Sequence, residues 1–147
     1  MMHFAVFFLL IAAGAAIVGQ NLLMAQISAG VSTVLIPLFM NSAVGLAALL
    51  LLLIWRSGFS GVYEVVNAFR VWNILPGLLG SFFVFASIVG YQRLGAAATI
   101  ALLVASQLVF GLVVDLARSG GIHGHAPTLA GAFILTVGAI IVACRAI

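Results

Sequence analysis

The sequence predicts an all-α integral membrane protein with five transmembrane helices, and three observations lead to that fold class. Hydrophobic residues make up 66% of the 147 residues and charged residues only 5%, which is too little charge to cover a soluble domain. The apolar residues fall into five continuous runs, each long enough to cross about 30 Å of hydrocarbon. Because these runs are continuous rather than alternating, they favour helices over the strands of a membrane β-barrel.

The five predicted spans form one domain over residues 1–147. They cover residues 4–25, 32–55, 74–91, 94–117 and 128–145. The first run, "MMHFAVFFLLIAAGAAIVGQ", has no Lys or Arg before its apolar core and more membrane after it, so we interpret it as a span rather than a cleaved signal. The breaks between spans are 26–32, 56–73, 92–93 and 118–127, with Pro127 suited to the first turn of the last helix.

The longest connection carries a helical pattern at residues 62–72. Its apolar side chains recur at helical spacing and its polar ones fall on other sides; the apolar set is Val62, Val65, Val66, Phe69 and Trp72. This spacing predicts a short helix lying in the membrane interface. An ordinary amphipathic linker with aromatic anchors is the alternative, and Trp72 and Tyr91 are expected to anchor at the interface.

The charges are sparse and give only a small orientation bias. The chain has five arginines, no lysine and two acids, with no basic patch, so nucleic acid is not predicted as a partner. Five spans place the termini on opposite sides, with Arg56, Arg70 and Arg118 on one side against Arg93 and Arg145 on the other. This mildly favours a cytoplasmic N-terminus. A chain so nearly balanced can also insert both ways, and two antiparallel copies then form a ten-span unit with inverted repeats.

The second half of the chain resembles a known family. The stretches "PGLLGSFFV" in span three and "RLGAAATIALLVASQLVFGLVVD" in span four, with "LAGAFILTVGAIIV" in span five, resemble the YdcZ-type family, a five-span branch of the drug/metabolite transporter superfamily. In the first half, "AAIVGQNLLMAQISAG" is similar to the family's glutamine-containing end of span one, with Met24 where the family often has asparagine. The resemblance implies an α-helical transporter acting as a homodimer or with a sister subunit.

Four amides are the candidate substrate-binding residues, because polar groups within a bilayer are costly unless they are paired or face water or a solute. They are Gln20, Asn21, Asn41 and Gln107. Asn41 and Gln107 each precede a glycine by four residues, which places an amide beside a gap on one helical face. The alternative is that these amides hold helices together by hydrogen bonds.

One acid lies at the end of span four. Asp115 precedes Arg118 by three residues, within reach of an interfacial ion pair, and the alternative is a proton-linked carboxylate. Neither acid of the chain lies in the middle of a span. Small drug exporters of the superfamily typically use a mid-membrane glutamate, so proton-coupled export of cations is disfavoured here.

Several further patterns are interpreted as structural. Pro37 interrupts span two and is expected either to kink the helix or to serve packing. Small residues recur every fourth position in spans four and five, which suits close helix contacts and a dimer face; the set is Ala97, Ala101, Ala105, Thr128, Ala132 and Thr136. His123 and His125 are interpreted as part of a solvated glycine-rich loop rather than a metal site.

These patterns lead to a transporter hypothesis with two alternatives. The chain contains no phosphate-binding loop, nucleophile elbow or paired carboxylates, so an enzyme is not predicted, and neither is a cofactor or a metal. We expect a secondary transporter of a small polar metabolite or drug-like solute, working by alternating access in a dimer within the lipid of the inner membrane. The alternatives are a non-transporting membrane module, a partner subunit of a hetero-oligomeric transporter, and a passive pore.

Overall fold

The computed structural model describes residues 2–119 and 126–145, and within them the chain forms five α-helices. They are α1 (Met2–Ala29), α2 (Leu35–Ala68), α3 (Ile74–Arg93), α4 (Ala96–Ser119) and α5 (Ala126–Cys144). All five are long and apolar enough to cross a membrane, judged by length and composition. The all-α class with five membrane-spanning helices is therefore confirmed.

The chain divides into two compact units. The first, Met1–Val89, holds α1, α2 and most of α3. The second, Gly90–Ile147, holds the last turn of α3 together with α4 and α5. The polar candidates Gln20, Asn21 and Asn41 belong to the first unit, and Gln107 to the second.

In the first unit, the second half of α1 carries a buried face. Asn21, Met24 and Ser28 are buried, and their spacing of three and four residues places them on one face of the helix. Pro37 is fully buried near the start of α2. Because α2 begins at Leu35, Pro37 lies in its first turn, where the backbone N–H has no intrahelical partner to lose. Of the two roles predicted for Pro37, its burial fits packing, and its place in the first turn does not fit a kink within span two.

The real break in α2 lies at Gly58. Its backbone has φ 62° and ψ −162°, a region that is essentially restricted to glycine. The Ser60 hydroxyl donates to the Ser57 carbonyl oxygen across this break, over 2.6 Å. After the break, Gly61 lies close to the side chains of Ser57 and Leu53. A Cβ built on Gly61 would be 2.9 Å from the Ser57 Cβ and 3.0 Å from the Leu53 Cδ1. Two glycines thus let the chain change direction at the end of span two.

After this break the chain is helical as far as Ala68. Phe69 has extended backbone, and a short 3-10 helix follows at Val71–Asn73. The segment predicted as one helix over 62–72 is thus helical only in its first part. Trp72 is largely exposed, as an interfacial anchor would be. The placement of this segment in the membrane interface stays a prediction.

In the second unit, a glycine turn joins α3 to α4. Gly95 has φ 81°, a left-handed conformation typical of the residue that follows a helix end. The helix α3 runs through Arg93, so the turn comes two residues later than the predicted turn at 92–93. Beside it, a Cβ built on Gly90 would lie 2.6 Å from the Thr99 Cγ2, so these two helices approach closely.

The helices α4 and α5 pack along a seam of small side chains. The buried positions are Ala98, Ala105 and Leu112 on α4, with Ala132 and Ala139 on α5. Their spacing of seven residues is that of helices crossing at a shallow angle. Of the predicted stripe on α4, Ala105 is buried in this seam and Ala97 is exposed. The role of the stripe as a dimer face stays a prediction.

Candidate functional site

Two of the predicted amides are in contact. Gln20 Nε2 on α1 donates a hydrogen bond to Asn41 Oδ1 on α2, and the two atoms are 2.9 Å apart. Both side chains are half-buried. Gln20 lies nine residues before the end of α1 at Ala29, about 14 Å along the axis, and Asn41 six residues after the start of α2, about 9 Å. The pair is therefore well inside the apolar part of both helices.

The surroundings of this amide pair combine polar and soft apolar groups. Gln20 Nε2 also lies 3.9 Å from Met24 Sδ, one turn further along α1. Asn21 is buried, with 4% of its surface exposed. Met24 is not among the site residues predicted from the sequence. Its spacing of four residues from Gln20 places both on one face of α1.

One turn beyond Asn41 there is free space. A Cβ built on Gly45 would meet no atom within 4 Å. The face of α2 beside the Asn41 amide is therefore open in the described chain, and its use by a solute or a neighbouring helix stays a prediction.

Gln107 lies apart from this pair along the chain, in the second unit. It is exposed, and among the described residues its amide makes no hydrogen bond. It stands eleven residues from Ala96 and twelve from Ser119, so it marks the middle of α4. A Cβ on Gly111 would also meet nothing within 4 Å. The middle of α4 thus presents an open, polar position.

Asp115 and Arg118 lie at the C-terminal end of α4, and both are exposed. Arg118 is in the last turn, where a positive charge interacts favourably with the helix dipole. No ion pair between the two is recorded in the described part of the chain, so their pairing stays a prediction.

Three cavities along the described parts of α4 and α5 have mainly apolar linings. One of them, of about 510 Å³, lies between Ala101 and Val104 of α4 and Leu135 and Gly138 of α5. None of the predicted amides lines these three cavities. The polar candidates and the apolar grooves are therefore separate features.

Tyr91 differs from its expected role as an interfacial anchor. Its side chain is 8% exposed, and its buried hydroxyl has no hydrogen-bond partner among the described residues. No signal in the sequence distinguishes this tyrosine from an exposed anchor, because burial here follows from the close approach of neighbouring helices.

The described residues contain no group of three side chains suited to a metal. His123 and His125, interpreted as a loop, lie outside the described residues.

Comparison with known proteins gives one consistent family. Residues 5–141 match the DMT_YdcZ family, whose description reads "Putative inner membrane exporter, YdcZ". The chain is 51% identical over 138 residues to "Inner membrane protein YdcZ" of Escherichia coli (strain K12), covering 92% of this chain and 93% of that protein. No solved structure matches the chain. Together with the five apolar helices, this similarity shows a multi-pass protein of the inner membrane.

Proposed function

This chain belongs to the DMT_YdcZ family, and we propose that it is a secondary transporter that exports a small polar solute by alternating access in a dimer of antiparallel copies. The family description, which names an exporter, supports membrane transport rather than enzymatic catalysis. The substrate-contacting residues in this proposal are Gln20, Asn21, Asn41 and Gln107.

The observation that carries the proposal is the unpaired amide of Gln107. Its place in α4 is about 16 Å from one helix end and 18 Å from the other, which is the depth of the bilayer centre. A primary amide facing lipid there would lack hydrogen-bond partners, at a cost of roughly 2–7 kcal/mol. A second copy of the chain, or a polar path between two copies, supplies those partners.

The charge distribution favours an uncharged or zwitterionic solute. Glu64 follows the break at Gly58, and Asp115 lies four residues before the end of α4. Neither carboxylate lies in the middle of its helix, so a mid-membrane acid is not the group that binds the solute in this proposal. Asp115 with Arg118 then serves as an ion pair at the headgroups, not as a proton-linked site.

Transport measurements on reconstituted protein test the mechanism. A thermal-shift screen of neutral and zwitterionic metabolites on the purified protein selects solutes for flux assays in proteoliposomes. Saturable flux with counterflow is expected. Linear, non-saturable flux would instead indicate a pore, and no flux together with stable co-purification of another protein would indicate a partner subunit.

Membrane orientation tests the antiparallel dimer separately. Tags at both termini, probed from each side of the membrane, should report two populations of opposite orientation. A single orientation in every molecule would overturn the antiparallel homodimer and point to a sister subunit.

A further inference from the structure

We propose that the Gln20–Asn41 pair recognises a carboxamide-like edge, a neighbouring N–H donor and C=O acceptor such as a primary amide or a lactam presents. This inference rests on the proposed transport function and specifies the chemical class of the solute. Four features carry it: the hydrogen-bond inventory of the pair, its depth, the absence of charge around it, and the open space beside it.

The hydrogen bond between the two side chains uses only part of their capacity. A primary amide offers two N–H donors and a carbonyl oxygen with two acceptor positions. The bond from Gln20 Nε2 to Asn41 Oδ1 leaves the Gln20 Oε1 acceptor and the Asn41 Nδ2 donor, and no described residue bonds either one. Exchanging the nitrogen and oxygen of both amides leaves the same inventory, one free carbonyl oxygen and one free NH2 group.

The remaining donor and acceptor belong to two side chains that one hydrogen bond joins. That bond restrains both amide groups, so the same contact presents the free oxygen of one and the free NH2 of the other. A ligand amide carries the complementary pattern, since its N–H can donate to Gln20 Oε1 while its carbonyl oxygen accepts from Asn41 Nδ2. An ester or a lactone offers acceptors only and leaves Gln20 Oε1 unpaired.

The position of the pair makes this complementarity matter. Both residues are half-buried and lie in helices that are long and apolar enough to cross a membrane. Polar groups in such a place are unfavourable unless they are satisfied, so a solute that pairs both groups is preferred to one that pairs a single group. The gap at Gly45, one turn from Asn41, gives such a solute room to approach.

The same part of the chain is free of formal charge. The first Asp, Glu, Lys or Arg of the sequence is Arg56, so the α1 and α2 segments that hold the pair contribute no ionised side chain of these types. A cation would find no carboxylate on these segments and an anion no guanidinium. Neutral hydrogen bonding is the recognition chemistry that they offer.

Binding of matched neutral probes to the full-length protein in nanodiscs tests the proposal. We use three pairs of compounds, and in each pair only the first member carries an N–H donor. The pairs are acetamide and methyl acetate, 2-pyrrolidone and γ-butyrolactone, and nicotinamide and methyl nicotinate. At least one nitrogen compound should bind about 10-fold or more tightly than its oxygen partner. No preference in any of the three pairs overturns the proposal.

Variants show whether the preference belongs to this pair. Gln20→Leu and Asn41→Leu should each remove the preference for the nitrogen compound. The exchanged double variant Gln20→Asn with Asn41→Gln keeps one carbonyl and one NH2 and should retain part of it, which guards against a loss caused by misfolding. Ser106→Ala is the matched control, because the Ser106 hydroxyl bonds within its own helix to the Leu103 carbonyl oxygen. A preference that survives both leucine variants overturns the assignment.

Counterflow of the same compounds separates this inference from the transport proposal. Saturable counterflow without any preference for the nitrogen compounds retains the transporter and overturns the amide-recognition site. A binding preference that depends on Gln20 and Asn41 without saturable flux retains the site and overturns transport.

Discussion

Gln20 and Asn41, 21 positions apart in the chain, join α1 to α2 through an amide–amide hydrogen bond of 2.9 Å. Within a membrane the hydrophobic effect does not drive helices together, so packing and interhelical hydrogen bonds do. This bond therefore has a structural role beside its proposed role in solute recognition. The two roles are separable, because stability and solute preference are measured independently.

The structural role predicts a coupling between the two side chains. In a double-mutant cycle of Gln20→Leu and Asn41→Leu, we expect a coupling free energy of about 0.5–2 kcal/mol. Reversible unfolding in mixed detergent measures it. The control cycle pairs Asn41→Leu with Gln26→Leu, because Gln26 is exposed and makes no hydrogen bond among the described residues. Additive effects in the first cycle would contradict an energetically significant bond.

The sequence predicts Gln20 and Asn41 as candidate site residues but does not predict that they bond to each other. Hydropathy locates the spans, because a helix in lipid needs a long apolar run. Gln20 and Asn41 stand out because a polar side chain in lipid is energetically unfavourable unless it is paired. Which amide faces which depends on how two helices are rotated against each other, and that is set by packing. The Met24 contact was missed for the same reason.

Boundaries were harder to predict than spans, and two glycines explain why. Composition placed a loop after Trp55, yet α2 continues to Gly58 before it breaks, because helical hydrogen bonds persist until a residue leaves the helical region. The turn after α3 likewise occurs at Gly95, where φ is positive. Polar residues such as Arg56 and Arg93 are compatible with a helix end but do not force one.

The break in α2 predicts a specific sensitivity at Gly58. Gly58→Ala forces a Cβ into a backbone region that non-glycine residues avoid, so we expect a loss of about 1–3 kcal/mol in the free energy of unfolding. Gly77→Ala is the control, since it lies in the regular helix α3 and its Cβ would meet no atom within 4 Å. That control should be neutral or stabilising by up to about 1 kcal/mol. Equal stability of the two variants would count against the sharp break.

The close approach of Gly90 on α3 to Thr99 on α4 predicts that a larger residue at 90 clashes with Thr99, and that a smaller residue at 99 relieves the clash. Gly90→Ala would place its Cβ 2.6 Å from the Thr99 Cγ2 and 2.8 Å from its Oγ1, and overpacking of this kind costs typically about 1–3 kcal/mol. Thr99→Ala in the same chain removes both atoms. Thermal unfolding should show that the double variant is more stable than Gly90→Ala alone; if Thr99→Ala gives no rescue, the two residues are not in close contact.

The buried hydroxyl of Tyr91 predicts that its removal does not destabilise the protein. An unsatisfied buried polar group costs about 1–3 kcal/mol, so Tyr91→Phe should leave stability unchanged or increase it. The exposed Tyr63 provides the matched control, and Tyr63→Phe should change stability by less than about 0.5 kcal/mol. A clear loss of thermal stability in Tyr91→Phe would mean that the hydroxyl has a partner.

Substitutions at Gln107 and Asp115, two polar residues of α4, are predicted to differ in their effect on transport. Gln107 is in the middle of the helix and Asp115 near its end, so only the first lies at the depth proposed for solute binding. Gln107→Leu should abolish counterflow because it removes an amide proposed to bind the solute. It should not lower the membrane yield of the protein, because that amide makes no hydrogen bond among the described residues. Asp115→Asn should leave transport largely intact, because Asp115 is exposed near the helix end, away from the depth proposed for solute binding. Loss of transport in Asp115→Asn with activity retained in Gln107→Leu would transfer the functional role from the amide to the carboxylate.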